Sequence, residues 1–518
     1  MGYFRSTMSN TLSNDRSTPP LIKSDLTVFL TLLLLGILIY LPVLNKGLLS
    51  DDFLVMKRVG LDGIVFIKGF FRPLSDITLY FNYWMGGFQG VYYNSFNLLL
   101  HVLGSFFIFL FCKRWEGLPV LNRNHFALLS ALLFLTYPFH NESVVWGVGR
   151  ASLLAGFFGI AAMLIAVSRI KFGWKLLWVN LFCFVGLSAY ESIFLLPIPI
   201  LLILWSNKTP FNRLIVWGGS FVFTLLLHLI IRRVVAGGII GGYAEGLFDI
   251  GFQQYLSNLL RIVGRLFLPP AENSALLTSL FALLMILIFV LTVIHIRKKR
   301  TFIPVSLLIV FLATSLVVPV TFPVSTRTSE SDRLLYFPSV FVCLFLAFLL
   351  TEMISSRKWL IALSALLLIY NIFFLELNNL NWRRSSDISQ TFLGTLREQQ
   401  GNRKAIMILN VPDEYNGAYI FRNGFEDALI IQGLDTSKIK RISRLKWEEH
   451  KTIPEEIVPE KRGDTLLIAP ANRIYLKRQE QAMFIDSVGT IKGPYSVTEN
   501  ELWYWNKKQL KPVRISAE

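Results

Sequence analysis

Apolar residues run through the first three quarters of this chain in long blocks, each closed by a short polar or basic interruption. A membrane span needs roughly 20 mostly apolar residues at 1.5 Å rise each. About eleven stretches meet or approach that length, centred on Leu26–Leu44, Ser95–Cys112, His125–Phe139, Ala151–Ser168, Trp174–Ser188, Ser192–Ser206, Leu214–Ile231, Ala275–Ile296, Phe302–Phe322, Leu334–Leu350 and Trp359–Leu375. Only "AYE", Ala189 to Glu191, parts the fifth from the sixth. The stretch before Leu26 is polar and basic, with no small-residue cleavage site after it, so the first run is expected to stay as an anchor.

After Glu376 the pattern changes. "KAIMILNVP", "AYIFRNGF", "ALIIQG", "DTLLIAP" and "ELWYWNKK" read as strands separated by Gly, Pro, Asn and Asp. Ahead of them, "NWRRSSDISQTFLGTLREQ" sets Trp382, Ile388, Phe392 and Leu396 at mostly helical spacing, which predicts an amphipathic helix lying on the membrane surface. No 34-residue self-similarity marks the tail, which excludes a tetratricopeptide array. The expected fold is a polytopic α-helical membrane protein with a small extracytoplasmic α/β domain. Residues 1–25 form a cytoplasmic segment, 26–377 the transmembrane domain with a first outer loop at 45–94, and 378–518 a strand-rich domain.

Basic residues supply an orientation. With Arg5, Arg16 and Lys23 inside, alternate connections read "CKRWEGLPVLNR", "SRIKFGWK", "NKTPFNR", "IRKKR" and "SSRK", all short and basic as cytoplasmic loops should be. The tail then lies outside, and nearly every acid close to a membrane end falls on the outer side. Composition agrees: 53% of residues are hydrophobic and 16% charged, against about a quarter charged in soluble domains. The net charge of +17 is read as a topology signal, and no nucleic-acid partner is implied. Cys112, Cys183 and Cys343 sit inside apolar runs and imply no disulfide framework.

Candidate chemistry gathers on the outer side. "LLSDDFLV" puts Asp51 and Asp52 just past the first span, and "FLVMKRVGLDGIVFIKGFF" suits a helix in the interface with Lys57, Arg58 and Lys68 toward headgroups. Taken alone, the acid pair reads as a solvated turn with Asp52 capping a helix. It has company: Arg72 and Asp76 in "FFRPLSD", His140, Glu142 and Arg150 in "FHNESVVWGVGR", and Glu330, Asp332 and Arg333 in "TSESDRLLYFPS". Arg150, Arg232, Arg233 and Arg333 stand at outer helix ends, against the inside bias, and ask for an anionic partner such as a phosphate. Acids plus arginines at a membrane interface suit transfer of a group from a lipid phosphate to an acceptor hydroxyl, one carboxylate taking the proton and arginines stabilising the departing phosphate. A divalent metal, Mg or Mn, on Asp52, His140 and Glu142 stays open, since no tight ligand spacing compels it.

The order of "SDDF", "FRPLSDITLYFNYWMGG", "NSFNLLLH", "YPFHNESVVWGVGRASLLA", "ESDRLLYFPSVFVCLFLAF" and "NWRRSSD" resembles the membrane half of the transmembrane O-mannosyltransferases with tetratricopeptide tails and their bacterial relatives. The likeness covers roughly residues 26 to 397. It implies a GT-C glycosyltransferase fold and an inverting transfer from a polyprenyl-phosphate sugar, mannose or another hexose, to a protein or glycan hydroxyl. By that likeness Asp51, Asp52 and Glu142 are catalytic acids, and Arg72, His140, Arg150, Glu191 and Arg333 contact substrate, with Tyr190 standing where relatives often carry a lysine before Glu191. The apolar runs make the bilayer itself a partner, and the absence of repeats with the short loops points to a bacterial cytoplasmic membrane, an endoplasmic reticulum origin being the alternative. Two other classes fit a polytopic chain: a flippase for lipid-linked sugars and a scaffold without activity. The near-absence of charges in mid-span argues against an ion pathway.

Overall fold

The computed structural model describes residues 21–238, 251–299, 302–399, 405–441, 444–445, 459–462, 465–468, 490–492 and 500–513. The segment before residue 21 and the middle of the 232–274 connection lie outside the described residues. The chain is a multi-pass helical membrane protein. Its helices are α1 (Leu21–Leu44), α2 (Asp51–Met56), α3 (Pro73–Gly86), α4 (Gly90–Arg114), α5 (Arg123–Leu135), α6 (Asn141–Val144), α7 (Arg150–Ala166), α8 (Phe172–Leu187), α9 (Pro197–Ser206), α10 (Phe211–Ala236), α11 (Phe252–Phe267), α12 (Ser274–Lys299), α13 (Ile303–Leu316), α14 (Tyr336–Met353), α15 (Arg357–Glu398) and α16 (Phe425–Ile431). Prolines at the first turns of α3, α9 and α13 fit there, because the N–H each lacks would have no partner in the helix anyway.

Each apolar run read from the sequence folds as a helix, and six of the helical segments are long and apolar enough to cross a bilayer. The other five runs give helices of 10–17 residues. The polar connections sort to two ends. At one, Lys113 pairs with Asp25, Lys299 with Glu352, and the Trp115 indole N–H donates to Ser206. At the other lie the Arg232–Glu191, Arg265–Asp332 and Arg333–Glu142 pairs. These contacts gather the polar connections into two separate groups.

Several elements differ from the sequence reading, and of "AYIFRNGF" only Ala418–Tyr419 is strand. The interfacial helix after Asp51 ends early: a π-helical turn, Lys57–Leu61, follows α2, and Gly63 adopts a φ of 68°. Lys57 pairs with Asp62 at 2.7 Å and Arg58 with Asp76 at 2.9 Å, so protein carboxylates take the charges expected on headgroups. "ALIIQG" belongs to α16 and not to a strand, with Gly424 and Gly433 at positive φ at its two ends; a run of four apolar residues cannot tell the two apart by period. The expected surface helix continues the last span without a break, making α15 a single helix of 42 residues.

That continuity joins the two halves of the molecule. A first core fills the helix bundle. A second one gathers Phe53, Val55 and Met56 of α2, Phe392, Leu393 and Leu396 of α15, and Ile406, Phe421, Phe425 and Trp505 of the tail. Phe392 sits at its centre, its ring 5.3 Å from Phe421, 6.1 Å from Phe425 and 5.8 Å from Trp505. In the tail, Ala405–Ile408 runs parallel to both Asn500–Trp505 and Ile439–Arg441, and Leu510–Pro512 adds an antiparallel edge. α16 lies in the crossover that parallel strands require.

Phe392→Ala should cost about 3–5 kcal/mol, the usual loss for a deleted core aromatic. Limited proteolysis of the detergent-solubilised chain should then cut the tail faster while leaving the helix bundle protected.

Candidate active site

The tail holds the turn that carries the acid pair. Ser50, at a φ of 50°, donates its N–H to the Ile420 carbonyl at 2.8 Å, and its Oγ accepts from the Asn423 N–H at 3.2 Å. Such a backbone costs of order 1–3 kcal/mol and persists where its surroundings over-determine it. Immediately after it the two acids part company. Asp51 is half-buried and makes no hydrogen bond or ion pair among the described residues. Asp52 is 1% exposed, with Oδ2 accepting from the Leu49 N–H at 3.1 Å and Oδ1 from the Val148 N–H at 2.9 Å. Gly147 makes room for it, since a Cβ there would stand 2.8 Å from Oδ1. The solvated-turn reading therefore fails for Asp52, and Ser50 occupies the cap position assigned to it. Burial raises the pKa of Asp52, with Asp51 adding to the rise and Lys46 and the two amides opposing it. Lys46, also buried, is pushed down to about 8 by desolvation, against the pull of Asp52.

Glu142 of α6 is 1% exposed. Its carboxylate receives the Arg333 guanidinium, the Arg333 backbone N–H at 3.0 Å and the Tyr419 hydroxyl at 3.2 Å. His140 does not share that site. Residues two apart on a helical turn do not face each other, and His140 turns inward, its Nε2 2.7 Å from Ser339 Oγ and its ring among Phe134, Tyr137 and Tyr336. Arg150 is also withdrawn: its Nε donates to Asn97 at 2.6 Å, an NH2 to the Tyr93 carbonyl at 3.1 Å, and it lies over the Phe96 ring at 4.7 Å. His140 and Arg150, expected from the sequence to contact substrate, are both wholly buried, with polar atoms of each turned to protein partners.

Glu191 stands between two arginines, Arg232 at 2.7 Å and Arg72 at 3.8 Å. Arg72 rests on the Tyr190 ring at 4.6 Å and donates no hydrogen bond among the described residues. Tyr190 links this cluster to the previous one. Burial raises its hydroxyl above the ordinary value, against the pull of Arg333 and Arg72, while Glu191 and Glu142 push the same way as burial. Trp146 extends the chain of contacts toward the acid pair: its indole N–H donates to the Leu49 carbonyl at 3.1 Å, and its ring lies 5.7 Å from the Arg333 guanidinium.

Sequence reasoning missed three contributors. Arg265 of α11 clasps Asp332 with one nitrogen at 2.7 and 2.8 Å, and stacks on Phe139 at 4.3 Å. Its signal is present in the sequence, because Asn258, Ile262, Arg265 and Leu266 share one buried face of an amphipathic helix in the connection between the spans Leu214–Ile231 and Ala275–Ile296. Tyr419 and Arg422 come from the tail. Arg422 stacks on Tyr419 at 4.7 Å and meets Glu330, Glu414 and Asp413. Nothing in "AYIFRNGF" announces that role.

The metal set proposed from the sequence does not fit. Asp52 is engaged by two amides, His140 by Ser339 and Glu142 by Arg333, so each donor is turned to a different protein partner. Among the described residues no three His, Cys, Asp or Glu side chains come together as a metal site.

No family model matches the chain. It is 32% identical over 94 residues to protein O-mannosyl-transferase TMTC3 of Homo sapiens, covering 18% of this chain and 10% of that protein. To TMTC4 of Homo sapiens it is 36% identical over 103 residues, covering 18% and 14%. The chain resembles the transmembrane O-mannosyltransferases over part of its length. It spans only about a tenth of the first of these relatives. Among solved structures it is similar to the oligosaccharyltransferase AglB from Archaeoglobus fulgidus, solved with an inhibitory peptide and a dolichol-phosphate, at a TM-score of 0.42 and 12% identity over 74% of this chain and 62% of that one. ArnT from Cupriavidus metallidurans, bound to undecaprenyl phosphate, gives a TM-score of 0.43 and 11% identity over 81% and 90%.

Arg265→Leu should destabilise the protein by about 3–5 kcal/mol by stranding Asp332, and Arg265→Leu with Asp332→Leu should regain most of that loss in thermal unfolding. A second expectation concerns pH. Folded Lys46 sheds its proton near pH 8 and the unfolded chain near 10.5, so stability contributed here is lost as pH falls through 8 and complete above 10.5. Asp52 works the other way, its contribution complete below the ordinary carboxylate value and lost as pH rises through its raised one. Lys46→Met should remove the gain in stability between pH 8 and 10.5, and Asp52→Asn the loss of stability as pH rises through the raised carboxylate value, both read by thermal unfolding across pH.

Proposed function

We propose that the chain is a membrane glycosyltransferase of GT-C type, moving mannose or another hexose from a polyprenyl phosphate to a hydroxyl on protein or glycan at the outer membrane face. The observation that carries this reading is the cluster around Tyr190, where Arg72, Arg232 and Arg333 set three guanidiniums against the two carboxylates of Glu142 and Glu191. The surplus positive charge, with Arg72 still able to donate, suits a phosphate at a helix rim. Partial likeness to protein O-mannosyl-transferases supports the sugar class.

Asp51 is the proposed base. It is the member of the pair left without a protein partner among the described residues, while Asp52 is held by Leu49 and Val148 and anchors the turn. The acceptor hydroxyl gives its proton to Asp51 as its oxygen attacks the anomeric carbon. The bond from that carbon to the phosphate oxygen breaks, and the polyprenyl phosphate leaves with the electron pair. A single displacement inverts the anomeric centre. Arg72 and Arg333 take up charge growing on the phosphate, and such prepositioned donors contribute most where water is scarce. The proposed topology places the N-terminus in the cytoplasm, about eleven spans in the membrane and the tail outside. A bacterial cytoplasmic membrane is the proposed setting.

Purified protein with radiolabelled polyprenyl-phosphate mannose and a serine- and threonine-containing peptide should transfer label. Asp51→Asn should slow transfer by about 10²–10⁴-fold, the range for a lost general base, with donor binding retained. Arg72→Ala should raise the donor KM. Full transfer by Asp51→Asn would refute the assignment, and donor relocation across vesicles without transfer would mark a flippase.

A further inference from the structure

Away from the Tyr190 cluster, a cavity of about 490 Å³ lies where the first outer loop, the start of α4, the end of α15 and α16 meet. Its size falls within the roughly 300–1,000 Å³ of small-molecule sites. Asn45, Gln89, Gln390 and Gln432 line it together with Phe53 and Phe88, the first three amide residues being exposed. Each amide offers two donors and an acceptor carbonyl on one flat group. Asn45 and Gln89 use none of these on other described residues, and Gln390 gives one N–H to Ser386 at 3.4 Å, leaving its carbonyl open. Arg397 is the one charged residue among the described lining, and its guanidinium donates to Gln432.

Gly394 adds an independent sign. It lies inside α15, where glycine costs roughly 0.5–1 kcal/mol relative to alanine. Neither of the usual reasons for keeping it applies, since its backbone is helical and a Cβ would meet no atom within 4 Å. Gly394 is itself part of the cavity lining. A bare stretch of helix there lets a ligand lie against the backbone.

We infer that this cavity binds a neutral oligosaccharide, its hydroxyls paired with the amides of Asn45, Gln89, Gln390 and Gln432 and the apolar face of a sugar ring set on Phe88. An amide matches two neighbouring hydroxyls as donor and acceptor at once, and an aromatic ring supplies flat apolar area for C–H groups. The near-neutral wall favours an uncharged ligand over a lipid phosphate or an acidic peptide. Binding here needs no transfer chemistry, so this inference stands or falls apart from the enzyme proposal.

The test uses the full-length protein in detergent, titrated calorimetrically with linear trisaccharides of mannose, of glucose and of N-acetylglucosamine, with a sialylated trisaccharide and a glycine-serine peptide for comparison. At least one neutral trisaccharide should bind saturably and at least 10-fold more tightly than the sialylated one or the peptide. Gly394→Leu and the pair Gln89→Ala with Gln390→Ala should each weaken that binding 10-fold or more at an unchanged unfolding midpoint, whereas Asp51→Asn should bind as the parent does. Binding unaffected by Gly394→Leu, a preference for the charged sugar or the peptide, or no neutral trisaccharide bound at all would each overturn the inference. If Gly394→Leu lowers the unfolding midpoint, the glutamine pair decides.

Discussion

A charged group taken out of water at a bilayer rim has to find a partner there, because desolvation costs several kcal/mol per ion even after relaxation. Arg333 with Glu142, Arg265 with Asp332 and Arg232 with Glu191 each answer that demand, and each pair joins helices far apart in the chain. The pairs fix how the outer ends of the helices sit against one another. They also fix what is left over. Arg72 approaches Glu191 only at 3.8 Å, and Asp51 has no hydrogen-bonding or ion-pair partner among the described residues.

Hydrophobic burial does the complementary job of closing the rim. α15 passes out of the bundle and plants Phe392 among Phe421, Phe425 and Trp505, while Phe53 of α2 stacks on Phe421 at 6.1 Å. The acid-bearing loop and the tail thus share one core and cannot be placed independently. Gly424 shows how close that contact is: a Cβ there would stand 2.7 Å from the Ser50 carbonyl. The strained turn before Asp51 is a product of that docking, and so is the arrival of Tyr419 at Glu142.

Two adjacent aspartates with one name therefore have two fates. Asp52 spends its oxygens on the Leu49 and Val148 amides and ties the first outer loop to the second. Asp51, one residue earlier on the same helical turn, points elsewhere by about 100°. The same local geometry separates His140 from Glu142, sending one into an aromatic cage and the other to Arg333.

The residue pattern along the chain suffices for the membrane class, the positions of the apolar helices and the stretches that furnish the site. These are sums over neighbouring residues, since hydropathy and loop charge are set locally. It also carries the amphipathic period of α11, the helix that holds Arg265. Only the tertiary structure decided which charges neutralise each other, that His140 and Arg150 serve the interior, that no metal set forms from Asp52, His140 and Glu142, and that the tail lends Tyr419 and Arg422. The physical reason is that pairing depends on distance in space: Glu142 and Arg333 stand 191 positions apart in the chain, and no periodicity in either segment encodes the other.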